Sequence, residues 1–93
     1  MPYLHIDVPR SYPTSVKGAL AYRLMHLYAD LMETTPDLVH VTFRELGEGG
    51  VWRWAPGSAV PSAVLACEVL RGRAPEQRAR LAEALLAACA EAL

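Results

Sequence analysis

The chain has 93 residues, nine basic and ten acidic, with a net charge of −1 and 53% hydrophobic residues. That length holds one domain, residues 1–93, and its interspersed charges form no basic stripe to neutralise phosphates, which excludes nucleic acid as a natural partner. No apolar run reaches the length of a membrane span and the opening residues lack a signal-peptide core, so the expectation is a cytoplasmic protein without a membrane partner.

Residues 3–8 (YLHIDV) alternate strictly, with Leu4, Ile6 and Val8 on one face and Tyr3, His5 and Asp7 on the other, the signature of a short strand. The stretch PRSYPTS is a loop punctuated by Pro9 and Pro13, with Thr14 or Ser15 expected as N-cap. The period then changes. Val16, Leu20, Leu24, Leu27 and Leu31 recur every three or four residues, which predicts an amphipathic helix over Ser15–Met32, ended by TTPD. Residues 38–46 (LVHVTFREL) are β-branched and aromatic and read as a second strand. Strand, helix and strand make a β-α-β unit, whose strands are expected to run parallel.

GEGG at 47–50 is a loop, VWRW at 51–54 a short hairpin arm ended by APGS, and residues 60–70 (VPSAVLACEVL) a third strand. Pro75 at the first helical position and Glu76 in the first turn start a second helix, with an apolar stripe of Leu81, Leu85, Ala88 and Cys89. The expected fold class is therefore α+β: a β-α-β unit followed by a partial second unit (β-α), the helices packed on one face of a small sheet. The partial unit ends where a second β-α-β would need its last strand. The other face is expected to be apolar and covered by another subunit, since a chain this small leaves much surface bare. Cys67 and Cys89 both sit in apolar runs and read as small buried hydrophobes in a reducing compartment. The Ala-, Leu- and Arg-rich composition points to a GC-rich bacterial source.

Three features are candidates for chemistry. Pro2 follows an initiator Met, and Met before a small residue is readily removed. Pro2 would then be a secondary amine titrating near neutrality, since an α-amino group has a pKa of about 7.7–8.0 and burial or a nearby cation lowers it. Such an amine serves as general base, general acid or nucleophile. With Met1 retained, the same nitrogen is an amide without basicity. Arg71 and Arg73, in RGR at 71–73, stand between a strand and a helix N-terminus. Two residues apart in an extended segment, they would project the same way and grip one carboxylate, although two solvated arginines in a turn is the plainer reading. Trp52 and Trp54 beside the Gly-rich loop could wall a pocket or simply pack. Arg10 and Tyr12, in the loop after the first strand, are further candidates for substrate contact, although Arg10 reads equally well as a surface charge. His5, His26 and His40 have no metal-ligand spacing, and no Gly-rich phosphate loop is present, so no metal or cofactor is expected.

Taken together these residues resemble the tautomerase superfamily, over nearly the whole chain. The parts that carry the likeness are PYLHIDV, the Lys17-containing helix, VHVTFREL and VLACEVLRGRAPEQRARLAEAL. In the malonate semialdehyde decarboxylase and cis-3-chloroacrylic acid dehalogenase branches, a pair of arginines before the second helix binds the substrate carboxylate. The resemblance gives that role to Arg71 and Arg73 and the catalytic role to Pro2. It puts Tyr28 where the dehalogenases have a substrate-binding His. It sets Arg10 one place before an arginine of the 4-oxalocrotonate tautomerases, and His40 at or next to a second arginine that is missing here. Trp52 takes the place of an aromatic side chain near the loop after the second strand. The longer branches have a final strand and tail that this chain does not reach, which counts against dehalogenation.

The resemblance implies a homotrimer or related oligomer, or a hetero-oligomer, with active sites near subunit boundaries. It implies a tautomerase or isomerase of a small 2-oxo or enol carboxylate, with Pro2 as general base. The alternatives are a decarboxylase or hydratase with Pro2 as general acid, and a non-catalytic oligomeric relative that keeps Met1.

Overall fold

The computed structural model describes residues 2–69 and 71–93. The alternating segment forms β1 (Tyr3–Val8), with Leu4, Ile6 and Val8 buried and Tyr3, His5 and Asp7 partly exposed. Helix α1 spans Thr14–Leu31, one residue earlier at each end than the periodicity suggests. Pro13 takes the N-cap position, and neither Thr14 nor Ser15 caps the helix with its side chain. The Pro13 carbonyl accepts from the Val16 and Lys17 amides, both at 3.1 Å. Proline suits this place because its φ is fixed.

At its other end α1 stops on Glu33, which sits at φ 54°, while the Thr34 amide donates back to the Ala29 carbonyl at 2.9 Å. This is the left-handed reversal that ordinarily falls to glycine. A 3₁₀ turn over Pro36–Leu38 follows, so β2 occupies His40–Glu45 rather than beginning at Leu38.

The residues 60–70 expected as one strand are divided between two sheets. Trp52–Ala55 (β3) pairs antiparallel with Ser58–Pro61 (β4) in a hairpin of its own, while Val64–Glu68 (β5) joins β1. The break falls at Pro61, which has no amide hydrogen to continue a ladder. Ser62 then closes the hairpin, its amide donating to the Val51 carbonyl at 3.2 Å. Leu70, the last residue of that expected strand, lies outside the described residues.

The main sheet has the order β2-β1-β5. As expected, β2 runs parallel to β1 across the α1 connection, from Tyr3↔His40 to Val8↔Glu45. Strand β5 runs antiparallel, from Tyr3↔Glu68 to Asp7↔Val64. Helix α2 covers Pro75–Ala92 and starts with Pro75 and Glu76 as the sequence indicates. Both helices cover one face of the sheet. There Leu4, Ile6 and Val8 meet Leu20, Leu24 and Tyr28 of α1 and Leu81, Leu85 and Ala88 of α2. Among the described residues no element covers the opposite face, and it is not the apolar surface expected: polar side chains stand there beside Val64 and Ala66. By register it presents Tyr3, His5 and Asp7, with Thr42 and Arg44 beside them. Asp7 and Arg44 are cross-strand partners and form a two-pronged ion pair of 2.7 and 2.8 Å.

Candidate functional site

Sheet register decides which of the sequence-derived residues meet. Pro2 is buried, and its carbonyl accepts from the His40 amide at 3.1 Å. Stepping back one place from Tyr3↔His40 and Tyr3↔Glu68 sets Pro2 beside Val39 on one side and Val69 on the other. Arg71 follows Val69 by two residues. The antiparallel run of β5 thus returns the RGR segment to the end of the sheet where Pro2 enters. Pro2, His40, Arg71 and Arg73 share that end. Met1, on whose removal the chemistry of the Pro2 nitrogen depends, lies outside the described residues.

The two arginines are not alike. Residues 71–72 form a turn, and Gly72 has φ 84°, a backbone conformation that glycine adopts without strain. The extended geometry that would project both guanidiniums the same way is therefore absent. Arg71 is exposed. Arg73 is partly buried, and its Nε donates to the Met32 carbonyl at the C-terminal end of α1, at 2.8 Å. Next to it, the Gln77 side-chain amide donates to the Leu31 carbonyl, also at 2.8 Å. Nothing in the sequence flags this tie, because its acceptors are backbone atoms.

Tyr28 corrects an expectation. It has no exposed surface in the single chain and packs in the core, rather than standing open on the surface for a ligand. His40 is exposed, and its ring stacks on Tyr3 at 5.8 Å between centroids. Tyr3 in turn lies parallel to His5 at 4.4 Å. These rings stand on the uncovered sheet face, where Tyr3, His5, Asp7, Thr42, Arg44, Val64 and Ala66 line an open concavity of about 510 Å³.

Arg10 and Trp52 lie at the far end. Six residues of β1 separate Pro2 from the loop that carries Arg10, a span of about 20 Å. The β3–β4 hairpin springs from the same far end, between Glu45 and Val64. Within one chain, neither Arg10 nor Trp52 joins Pro2. Arg10 is instead held locally, its Nε donating to the Tyr12 hydroxyl at 3.1 Å and its guanidinium lying over the Tyr12 ring. The Tyr12 amide and the Lys17 ammonium both donate to the Glu45 carboxylate, at 2.7 and 3.1 Å, and hold that carboxyl below its ordinary range. Trp52 donates from Nε1 to the Gly49 carbonyl at 2.8 Å.

Among the described residues no group of His, Cys, Asp or Glu is arranged to hold a metal ion, and no helix is long and apolar enough to cross a membrane. Burial pushes the Cys67 thiol up to about 11, with the Glu68 charge adding to it, and burial also raises Cys89. Neither is poised as a nucleophile at neutral pH.

No family model and no curated protein sequence matches the chain. Solved structures do. A native fused 4-OT superposes with a TM-score of 0.77 at 29% identity, over 97% of this chain and 74% of its own. A fused 4-OT solved as an asymmetric trimer gives 0.83 at 20% identity, over 97% and 73%. A member of the cis-3-chloroacrylic acid dehalogenase family gives 0.80 at 20% identity, over 97% and 64%.

Proposed function

We propose, from the premise that this chain has the fold of the tautomerase superfamily, that it is a proline-dependent tautomerase or isomerase of a small 2-oxo or enol carboxylate. The observation that carries the reading is the shared end of the sheet. The antiparallel β1–β5 pairing returns Arg71 and Arg73 to the end where Pro2 enters. With Met1 removed, the buried Pro2 nitrogen is a secondary amine. Burial and cations at the same end of the sheet both favour its neutral form. It takes a proton from carbon or from an enol hydroxyl and returns it elsewhere on the substrate. Arg71 holds the carboxylate, and Arg73 adds charge that stabilises the enolate as it forms. A fused 4-OT neighbour is a trimer; in a homotrimer of this chain, Arg10 and Trp52 reach the site from an adjacent copy, which their distance from Pro2 in one chain requires.

Intact mass of untagged protein tests the first step, and loss of one Met supports a free amine. Kinetics with the enol form of a small 2-oxo acid test the rest. Pro2→Ala is expected to lower kcat by 10² or more, and Arg71→Ala to raise KM. Unchanged kinetics in both variants rule the mechanism out. Activity that rises with pH through the Pro2 pKa supports a general base, and activity that falls there supports decarboxylation or hydration with Pro2 as general acid.

Two observations favour a second reading, a non-catalytic oligomeric relative: Pro2 is buried in the single chain, and the Nε of Arg73 is already engaged. A retained Met1 together with absence of turnover would support it.

A further inference from the structure

We infer that Gln77 is a positioning residue for the arginine site, holding Arg73 through a clasp on the last carbonyls of α1. This rests on the reading of Arg71 and Arg73 as the carboxylate-binding pair.

A helix leaves its last carbonyls without partners inside the helix. At the end of α1 three of these are accounted for. Ala29 accepts from the Thr34 amide, Leu31 from the Gln77 side chain and Met32 from Arg73 Nε. No basic residue stands in the last turn of α1, so Arg73 supplies the positive charge that the negative end of a helix favours. Gln77 is the third residue of α2, the position from which a Gln commonly reaches back to the N-cap amide of its own helix. Here it donates across to α1 instead. Consecutive carbonyls are therefore taken by side chains four residues apart on the approach to α2 and its first turn.

The consequence for the site is geometric. Arg73 has five N–H donors and the clasp uses one. Its guanidinium cannot follow a ligand freely, and its remaining donors are offered from a fixed place. Gln77 fixes the first turn of α2 against α1 at the same spot, and with it the distance between the Arg73 backbone and the Met32 carbonyl. Arg71, in the exposed turn, keeps its freedom. The pair is one preset and one adaptable cation, and Gln77 keeps the preset one in register.

The test compares wild type with Gln77→Leu, which cannot donate, and Gln77→Lys, which can donate to the same carbonyl. Hydrogen exchange of the Arg73 Nε–H is followed by NMR, the signal being assigned by its loss in Arg73→Lys. Pyruvate serves as the carboxylate probe in a binding titration, and KM and kcat are measured with an enol substrate. Q77L is expected to speed Nε–H exchange tenfold or more, to weaken pyruvate binding and raise KM about fivefold, and to change kcat less than twofold. Q77K is expected to restore all three. Unchanged Nε–H exchange in Q77L overturns the clasp. Faster exchange with unchanged pyruvate binding overturns the positioning role. A protected Nε–H in wild-type protein that binds no pyruvate and turns nothing over overturns the functional reading instead, with the clasp itself intact.

Discussion

The Arg73 Nε sits 2.8 Å from the Met32 carbonyl oxygen, so a residue read from sequence as a ligand contact is also the cap of a helix 41 residues before it. The two roles separate by substitution. Removing a charged hydrogen-bond donor from a partly buried carbonyl costs about 1.5–3 kcal/mol, so Arg73→Ala is expected to lower stability by roughly that much. Arg71 is exposed, and Arg71→Ala is expected to stay within about 0.5 kcal/mol of wild type. Urea denaturation of both variants checks this. Equal losses would mean that the Met32 bond contributes nothing particular.

The core that carries these residues was legible because its signals are local. Leu4, Ile6 and Val8 at period two, and Leu20 and Leu24 one helical turn apart, are buried as such spacing demands. The chemistry-bearing residues were harder to place, because their meeting depends on register. Pro2 and Arg71 come together only once β5 is known to run antiparallel to β1. Arg10 is eight residues from Pro2 in sequence, yet a strand carries it to the far end of the sheet. Gln77 and Arg73 act on carbonyls, which every residue has, so no side-chain pattern marks their partners. The division of residues 60–70 did have a signal, in Pro61, whose missing amide hydrogen argues against an unbroken strand.

Glu33 offers a stabilising change. It holds φ 54°, in the left-handed region that costs an L-residue about 1–2 kcal/mol and glycine little. Its substitution by Gly loses some of that gain to the greater freedom of the unfolded chain. Glu33→Gly is expected to raise stability by about 0.5–1 kcal/mol, measured as a higher urea midpoint with an unchanged slope. A destabilised variant would show that the Glu33 side chain holds the reversal.

Three carboxylates are held below their ordinary range by their partners. The Arg44 guanidinium bonded to Asp7 holds its carboxyl below the usual value. The Tyr12 amide, aided by Lys17, does the same for Glu45, and Arg23 does so for Glu91. A carboxyl depressed in the folded state binds fewer protons there than in the unfolded chain. Its contribution is fully present above the unfolded value of about 4 and is lost as pH falls through the folded value. Urea midpoints are therefore expected to be flat from pH 7 to about 5 and to fall below pH 4. Glu45→Gln is expected to shrink the difference between pH 7 and pH 3. An unaltered difference would mean that Glu45 is equally acidic in both states.

The β3–β4 hairpin makes the last case. Its strands pair with each other and make only sparse contact with the other elements. Trp52 and Trp54 are 53% and 75% exposed and, two apart on β3, share one face of the hairpin, although tryptophan is highly buried on average. Trp54→Ala therefore removes little packing from its own chain, and its unfolding midpoint at low protein concentration is expected to match wild type. If the hairpin lies against an adjacent copy, as the proposed homotrimer requires, the loss falls on association. Sedimentation velocity is then expected to show wild type sedimenting as an oligomer at concentrations where Trp54→Ala is largely monomeric. Wild-type tryptophan emission should also shift to the red on dilution, as the rings meet water. Identical sedimentation of the two proteins would remove the hairpin from the assembly and, with it, Trp52 from any shared site.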